Sequence, residues 1–246
     1  MSDKTSVFRF KKFSIIQKNG VFKVNTDACL LGAYTARFLE RATCLASTDN
    51  QYLDIGTGTG VIPCMLAQTT QAQVTGIDIN KAAVKVASEN FKASIWSQRI
   101  HAELVDVLQL ETQLPFNIIT CNPPYFTNSL KSPDSAKNLS RHNDGLSPQN
   151  LLRKVGELLD DNGCFFVIYP PAEAKVLAEY ARRQTLYLQE LVQIRPLPSK
   201  AIHRILMRFG KKRAKTIEYK ELLIEKQYGE YSENYKDLLK NFYTKL

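Results

Sequence analysis

The chain is poor in the residues that build cross-linked or metal-held proteins: five cysteines and three histidines in 246 residues. The cysteines, at positions 29, 44, 64, 121 and 164, are odd in number, widely spaced and without a Cys-x-x-Cys pair. This excludes a disulfide framework, and each thiol, set beside apolar neighbours, reads as a small buried hydrophobe in a reducing compartment. His101, His142 and His203 are equally scattered, so no zinc signature forms and no metal is expected. Long apolar runs are missing too. The run near Ile118 is far short of a membrane span, and the opening Met1-Ser2-Asp3-Lys4-Thr5 leads into alternating Phe and Lys, not the apolar stretch of a secretion signal. The expectation is a cytoplasmic chain without a membrane partner. Neither an internal repeat nor a Pro/Gly/Ser linker breaks it, and no obligate protein partner is evident.

What is present points to one sizeable core. Apolar residues make up 44% of the chain, enough to fill a single large domain of this length. The formal charge is +9, and it is unevenly placed. Residues 1–25 carry net +5 and residues 195–220 net +8, which leaves the remainder acidic. Lys11 and Lys12 stand in the first block, Lys211, Lys212 and Arg213 in the second. If the two blocks meet on one face as the flanks of an active site, they present a basic surface suited to a phosphate backbone. The plainer alternative is solvated charge that keeps the protein soluble.

The pattern along the chain is that of an α/β protein. Residues 7–16 alternate as a short strand or hairpin arm, and Asn25-Thr26-Asp27 offers a cap for a helix over 28–39. From residue 52 a βα rhythm sets in, with strands at 52–55, 74–79, within 100–107, and at 116–121, 164–169, 186–194 and 202–209. Helices are expected after the Gly-rich turn and over 80–95, 147–159 and 172–183, and the tail after 216 reads weakly as helix. Strands alternating with helices of this length predict a mostly parallel sheet covered on both faces. The expected organisation is a single domain over 1–246, with an N-terminal extension at 1–49 and a C-terminal tail at 216–246.

The segment Leu53-Asp54-Ile55-Gly56-Thr57-Gly58-Thr59-Gly60 leaves a strand and opens a helix. Glycine there permits positive φ and lets a ligand approach the backbone. Val61 stands where a dinucleotide fingerprint has its third glycine, so this is not an NAD site. Asp78, at the end of the next strand, is placed to accept from both hydroxyls of a ribose, and Asp106, after the third, to face an adenine amine. Read singly, Asp78 could cap the next helix and Asp106 could be a turn residue; together with the glycines they favour an adenosine-containing ligand at the carboxyl edge of the sheet.

On these residues the chain resembles the class I S-adenosylmethionine-dependent methyltransferases over roughly 50–210. The resemblance implies a Rossmann-like, mostly parallel seven-stranded sheet. It also implies S-adenosyl-L-methionine as cofactor, with Asp54, Gly56 and Gly58 at its methionine end, Asp78 on the ribose, and Asp106 with Val107 framing the adenine.

Asn122-Pro123-Pro124-Tyr125-Phe126 follows the fourth strand. An amine conjugated with a ring is a poor nucleophile that becomes positive as it attacks. Carbonyl acceptors aimed at its hydrogens, the side chain of Asn122 and the backbone of Pro123, stabilise that developing charge. A residue before proline is held extended, and Pro124 stiffens the direction further. Tyr125 offers a face for an extruded base, and Phe126 a pocket wall. The motif serves adenine N6 in DNA or RNA and glutamine amides in release factors; in the glutamine enzymes a long helical domain precedes the glycines, whereas here only about fifty residues do. A binding module without catalysis would not need the intact tetrad.

The match extends further. Phe8-Arg9-Phe10-Lys11-Lys12-Phe13, Val24-Asn25-Thr26-Asp27-Ala28-Cys29-Leu30-Leu31-Gly32-Ala33, the Asn-Pro-Pro-Tyr-Phe run and Ala136 through Arg141-His142 resemble the bacterial tRNA(Val) adenine-N6 methyltransferases. In that family a glycine commonly stands at the position of Asn25. The resemblance implies methylation of the adenosine 3′ of the anticodon, position 37, with tRNA as partner. Thr26 and Asp27 would close the methionine end of the cofactor site, and Arg141 and His142 would touch substrate. The alternatives are a helix cap for the first pair and a solvated loop for the second.

Overall fold

The computed structural model describes residues 5–42, 45–123 and 146–246. Strands β1 (Ser6–Arg9) and β2 (Ser14–Gln17) pair as an antiparallel hairpin and lead to helix α1 (Thr26–Arg41). The alternating part follows as β3 (Gln51–Ile55), α2 (Val61–Thr69), β4 (Gln73–Asp78), α3 (Lys81–Ala93), β5 (Ile100–Leu104) and β6 (Phe116–Cys121). After 146 come α4 (Pro148–Leu158), β7 (Leu159–Tyr169), α5 (Pro171–Ala181), β8 (Tyr187–Arg195) and β9 (Arg204–Gly210). The last stretch is β10 (Glu218–Leu223), the pair β11 (Glu225–Gln227) and β12 (Glu230–Tyr231), and α6 (Glu233–Leu239).

Eight strands form one sheet in the order β10-β8-β9-β7-β6-β3-β4-β5, parallel except where β9 runs against β7 and β8. Successive residues of the central strands alternate between two cores, as a pleat requires. Tyr52, Ile118 and Phe166 pack under α1, α2 and α3, while Leu53, Ile119 and Phe165 pack under α4 and α5. Helix starts are capped locally: Asn25 Oδ1 accepts from the Ala28 amide at 2.9 Å, and Asn80 Oδ1 from that of Ala82 at 2.9 Å. With φ −132° Asn25 needs no glycine-like freedom, which fits its place here. Cys29, Cys64, Cys121 and Cys164 are buried free thiols, as expected; Cys44 lies outside the described residues.

The tail departs from expectation. Instead of a helix, 218–223 adds an eighth strand beside β8, and only 233–239 is helical. Four of the six β10 side chains are exposed, so no apolar alternation marks it; pairing with a strand about thirty residues earlier makes it a strand. β7 also begins earlier than expected. Leu159 pairs with Phe116 and Cys164 with Ile118, so the polar run 160–163 bulges out between two ladder contacts.

Glu190, 3% exposed on β8, is the polar tie of this half. It accepts from Tyr34 Oη at 2.6 Å, Arg208 Nε at 3.1 Å and Lys220 Nζ, joining α1, β9 and β10. Removing the carboxylate strands the partly buried Arg208 without its counter-ion. Glu190→Ala is expected to lower unfolding stability by about 3 kcal/mol in urea titrations, with Glu190→Gln losing less.

Candidate active site

Because β3, β4, β5 and β6 are parallel, their carboxyl ends share one edge, and the sequence motifs meet there. Gly56, Gly58 and Gly60 all take positive φ, at 71°, 55° and 80°. The loop is fastened to the end of β4: the Gly56 and Thr57 amides both donate to the Ile77 carbonyl at 2.9 Å, and the Gly58 amide donates to Asp78 Oδ2 at 3.0 Å. The glycines differ in purpose. A Cβ on Gly60 would lie 2.3 Å from the Phe91 ring, so that position serves packing, whereas one on Gly56 would meet nothing within 4 Å. The space in front of Gly56 is open to a ligand.

Asp54 lies behind this loop at 1% exposure. Its Oδ1 accepts from Thr120 Oγ1 at 2.7 Å, and the Thr57 hydroxyl is the other donor beside the carboxylate. Burial pushes its carboxyl up to about 7, with the nearby Asp78 charge adding to the rise. Asp78 is not the cap of α3, since Asn80 is; its Oδ1 accepts from the Asn80 amide at 2.8 Å while Oδ2 holds Gly58. Beside it Ile79 is 72% exposed, and Leu104, the register partner of Asp78 on β5, is 52% exposed, an apolar margin along the edge.

Asp106 lies two residues past β5 and caps a single 3-10 turn, accepting from the Leu108 amide at 2.9 Å. Its turn role is therefore real. The Val107 side chain packs into the core at 4% exposure, and its carbonyl accepts from the Leu110 amide at 3.2 Å. Thr26 and Asp27 begin α1 but do not cap it. Asp27 Oδ2 is paired with Arg204 Nε at 2.7 Å, both side chains largely buried, and this pair brings the start of α1 to the same edge. Asn122 and Pro123 follow β6 directly, the first partly exposed and the second buried. Pro124, Tyr125, Phe126, Arg141 and His142 lie outside the described residues.

Lys11, Lys12, Lys211, Lys212 and Arg213 of the two basic blocks do not flank this site, whereas Arg204 of the second block does. Lys11 and Lys12 adjoin Gln68 and Thr69 at the far end of α2, and Lys211 and Lys212 reach Asp161 and Asn162 at the start of β7. The reason is topological: β9 runs antiparallel, so Arg204 starts at the site edge and residues 211–213 emerge at the opposite one. Two contributors had no signal of their own in the sequence. Asn90, 1% exposed on α3, donates to the carbonyls of Thr59 and Ile16 at 2.9 and 3.0 Å and accepts from the Ile16 amide at 2.8 Å, linking the glycine loop to β2. Arg204, the partner of Asp27, stood out only as one of many cations.

This arrangement of a glycine turn, strand-end acids and a tetrad after β6 defines a methyltransferase class, and comparison with known proteins agrees. A family model described as a methyltransferase domain matches residues 46–227. A Vibrio campbellii protein named tRNA1(Val) (adenine(37)-N6)-methyltransferase is 36% identical over 243 residues, covering 98% of this chain and 97% of its own length. A Bacteroides fragilis protein of the same name is 36% identical over 97% of this chain and 98% of its own. Among solved structures, one described as a predicted O-methyltransferase from Agrobacterium tumefaciens superposes with TM-score 0.64 at 19% identity, covering 88% of this chain and 96% of its own. An rRNA methylase from Streptococcus thermophilus superposes at 0.51 and 15% identity, covering 72% and 94%, a likeness of fold. The chain belongs to the methyltransferase family, and within it to the family of the tRNA1(Val) (adenine(37)-N6)-methyltransferases.

The buried Asp54 has a measurable signature. Its carboxyl ionises at the ordinary 3.8 when unfolded but near 7 in the fold, so the folded state holds the proton between these values and stability falls as pH rises through that window. Above pH 7 the penalty is complete. Asp54→Asn is expected to melt roughly 5 °C above wild type at pH 8 and close to it at pH 4, read by calorimetry of the ligand-free protein.

Proposed function

We propose that the protein transfers a methyl group from S-adenosyl-L-methionine to N6 of adenosine 37 in tRNA(Val). The observation that carries this is the placement of Asn122-Pro123 at the same strand edge as the glycine loop and Asp78, in a chain sharing 36% identity with relatives of that name along almost its whole length. The residues fit the cofactor: open space before Gly56 admits a ligand to the backbone, and the Asp54 carboxyl, with no cation beside it among the described residues, is an acceptor suited to a cationic group. Asp54, Gly56 and Gly58 would hold its methionine end, with Thr26 and Asp27 closing that end. Asp78 would hold the ribose through lone pairs not used by Gly58 and Asn80. Asp106 and the Val107 backbone would frame the adenine, against the apolar margin of Ile79. The bound cofactor supplies an electrophilic methyl on a sulfonium.

The protein's part is positioning and charge stabilisation. The Asn122 side-chain carbonyl and the Pro123 carbonyl accept from the two hydrogens of the adenine amine, which draws its lone pair out of the ring and towards the methyl. As the N–C bond forms and the C–S bond breaks, the nitrogen gains positive charge that these acceptors stabilise. The excess proton then leaves to solvent, and no side-chain base is required. Tyr125 would stack the base, Phe126 would wall the pocket, and Arg141 and His142 would touch the RNA. Residues 1–246 act in this reading as one domain, working in the cytoplasm where tRNA is. No helix among the described residues is long and apolar enough to cross a membrane.

Asn122→Ala removes an acceptor that matters in the transition state, so kcat on tRNA is expected to fall at least 100-fold. Affinity for S-adenosylhomocysteine, by isothermal titration calorimetry, should change less than about twofold. A variant that keeps its rate contradicts the assignment.

A further inference from the structure

A second concentration of positive charge stands at the edge of the sheet opposite the chemistry. At the site edge Arg204 is matched by Asp27 and Arg195 by Glu221. At the opposite edge Lys11, Lys12 and Lys240 line one groove together with Glu40; Lys11 Nζ donates to the Lys240 carbonyl at 2.6 Å, and Lys240 Nζ is paired with Asp237 at 2.8 Å. Lys211, Lys212 and Arg213 leave the end of β9 at that same edge. Arg213 stacks on the Tyr187 ring at 4.8 Å, and neither it nor Lys12 pairs with a carboxylate among the described residues. The partner of Lys211, Asp161, is itself 84% exposed and only 3.3 Å away, a weak competitor for a phosphate.

Resting on the function proposed above, we propose that this edge is a second RNA contact, binding phosphates of the folded tRNA far from the methylated nucleotide. The distance supports this. The seven residues of β9 alone carry the chain roughly 20 Å away from Arg204, more than the reach of phosphates flanking a nucleotide held at Asn122. A helical stem laid along the flank of the domain spans that gap, and its closely spaced phosphates match a row of Lys and Arg. The edge would therefore select whole tRNA over a short hairpin bearing the same target adenosine, independently of base readout.

The test compares wild type, the triple variant Lys12→Glu/Lys211→Glu/Lys212→Glu, the neutral triple variant with Gln at the same positions, and Lys175→Glu on exposed α5 as a control. Filter binding over a salt series measures each protein on a full-length tRNA(Val) transcript and on its isolated anticodon stem-loop. For the Glu triple variant on whole tRNA, affinity is expected to fall at least tenfold at about 0.1 M salt, with the salt slope reduced by two to three. The Gln variant should lose less, while stem-loop binding, S-adenosylhomocysteine binding and the control stay unchanged. Unchanged affinity and slope on whole tRNA overturn the proposal, as does an equal loss on the stem-loop. Wild type that binds tRNA through this edge without forming N6-methyladenosine would sink the functional reading and leave the edge contact standing.

Discussion

The fastening of the glycine loop to the end of β4 is the interaction on which the site depends. One carbonyl, that of Ile77, accepts from two successive amides of the loop, and the Asp78 carboxylate takes the third, so the turn between β3 and α2 cannot shift without breaking all of them. Positive φ at Gly56 and Gly58 makes the turn possible. The same carboxylate that a ribose would use thus already serves as a structural acceptor, and the site is formed before any ligand arrives. Asn90 extends this rigidity outward, since its one amide group ties the loop at Thr59 to the N-terminal hairpin at Ile16.

Holding Asp54 behind that loop has an energetic cost. A carboxyl at 1% exposure with only threonine hydroxyls as donors is poorly solvated as an anion, which is why its ionisation is displaced to about 7. A group that destabilises the empty fold near neutrality and suits a cationic ligand is the usual trade between stability and function. The pair Asp27–Arg204 shows the opposite arrangement: two largely buried charges satisfy each other and hold the start of α1 at the site edge.

Much of this was legible in the sequence because it is local. The glycine run, the strand ending at Cys121 and the alternation of strands and helices from β3 to β5 follow from short-range patterns, and the structure places them as expected. Asp78 and Asn122 were identifiable because a residue at a strand end has a fixed position in a parallel sheet. What escaped is non-local. β10 is a strand because β8 lies beside it, although its exposed Glu218, Tyr219, Lys220 and Glu221 carry no alternation. The ion pair of Asp27 joins residues 177 apart in the chain, and Asn90 looks like any polar residue late in a helix. The second basic block is divided for the same reason: β9 sets Arg204 at the site edge and leads to Lys211 and Lys212 at the other, and charge along the sequence does not say at which edge an antiparallel strand will deliver it.

The central claim is a reaction, and one measurement addresses it directly: methyl transfer from labelled S-adenosylmethionine to bulk unmodified bacterial tRNA, followed by nucleoside digestion and chromatography. The expected result is a single labelled peak that co-migrates with N6-methyladenosine. Label absent from tRNA but present in protein would contradict the account and point to a glutamine amide as the acceptor.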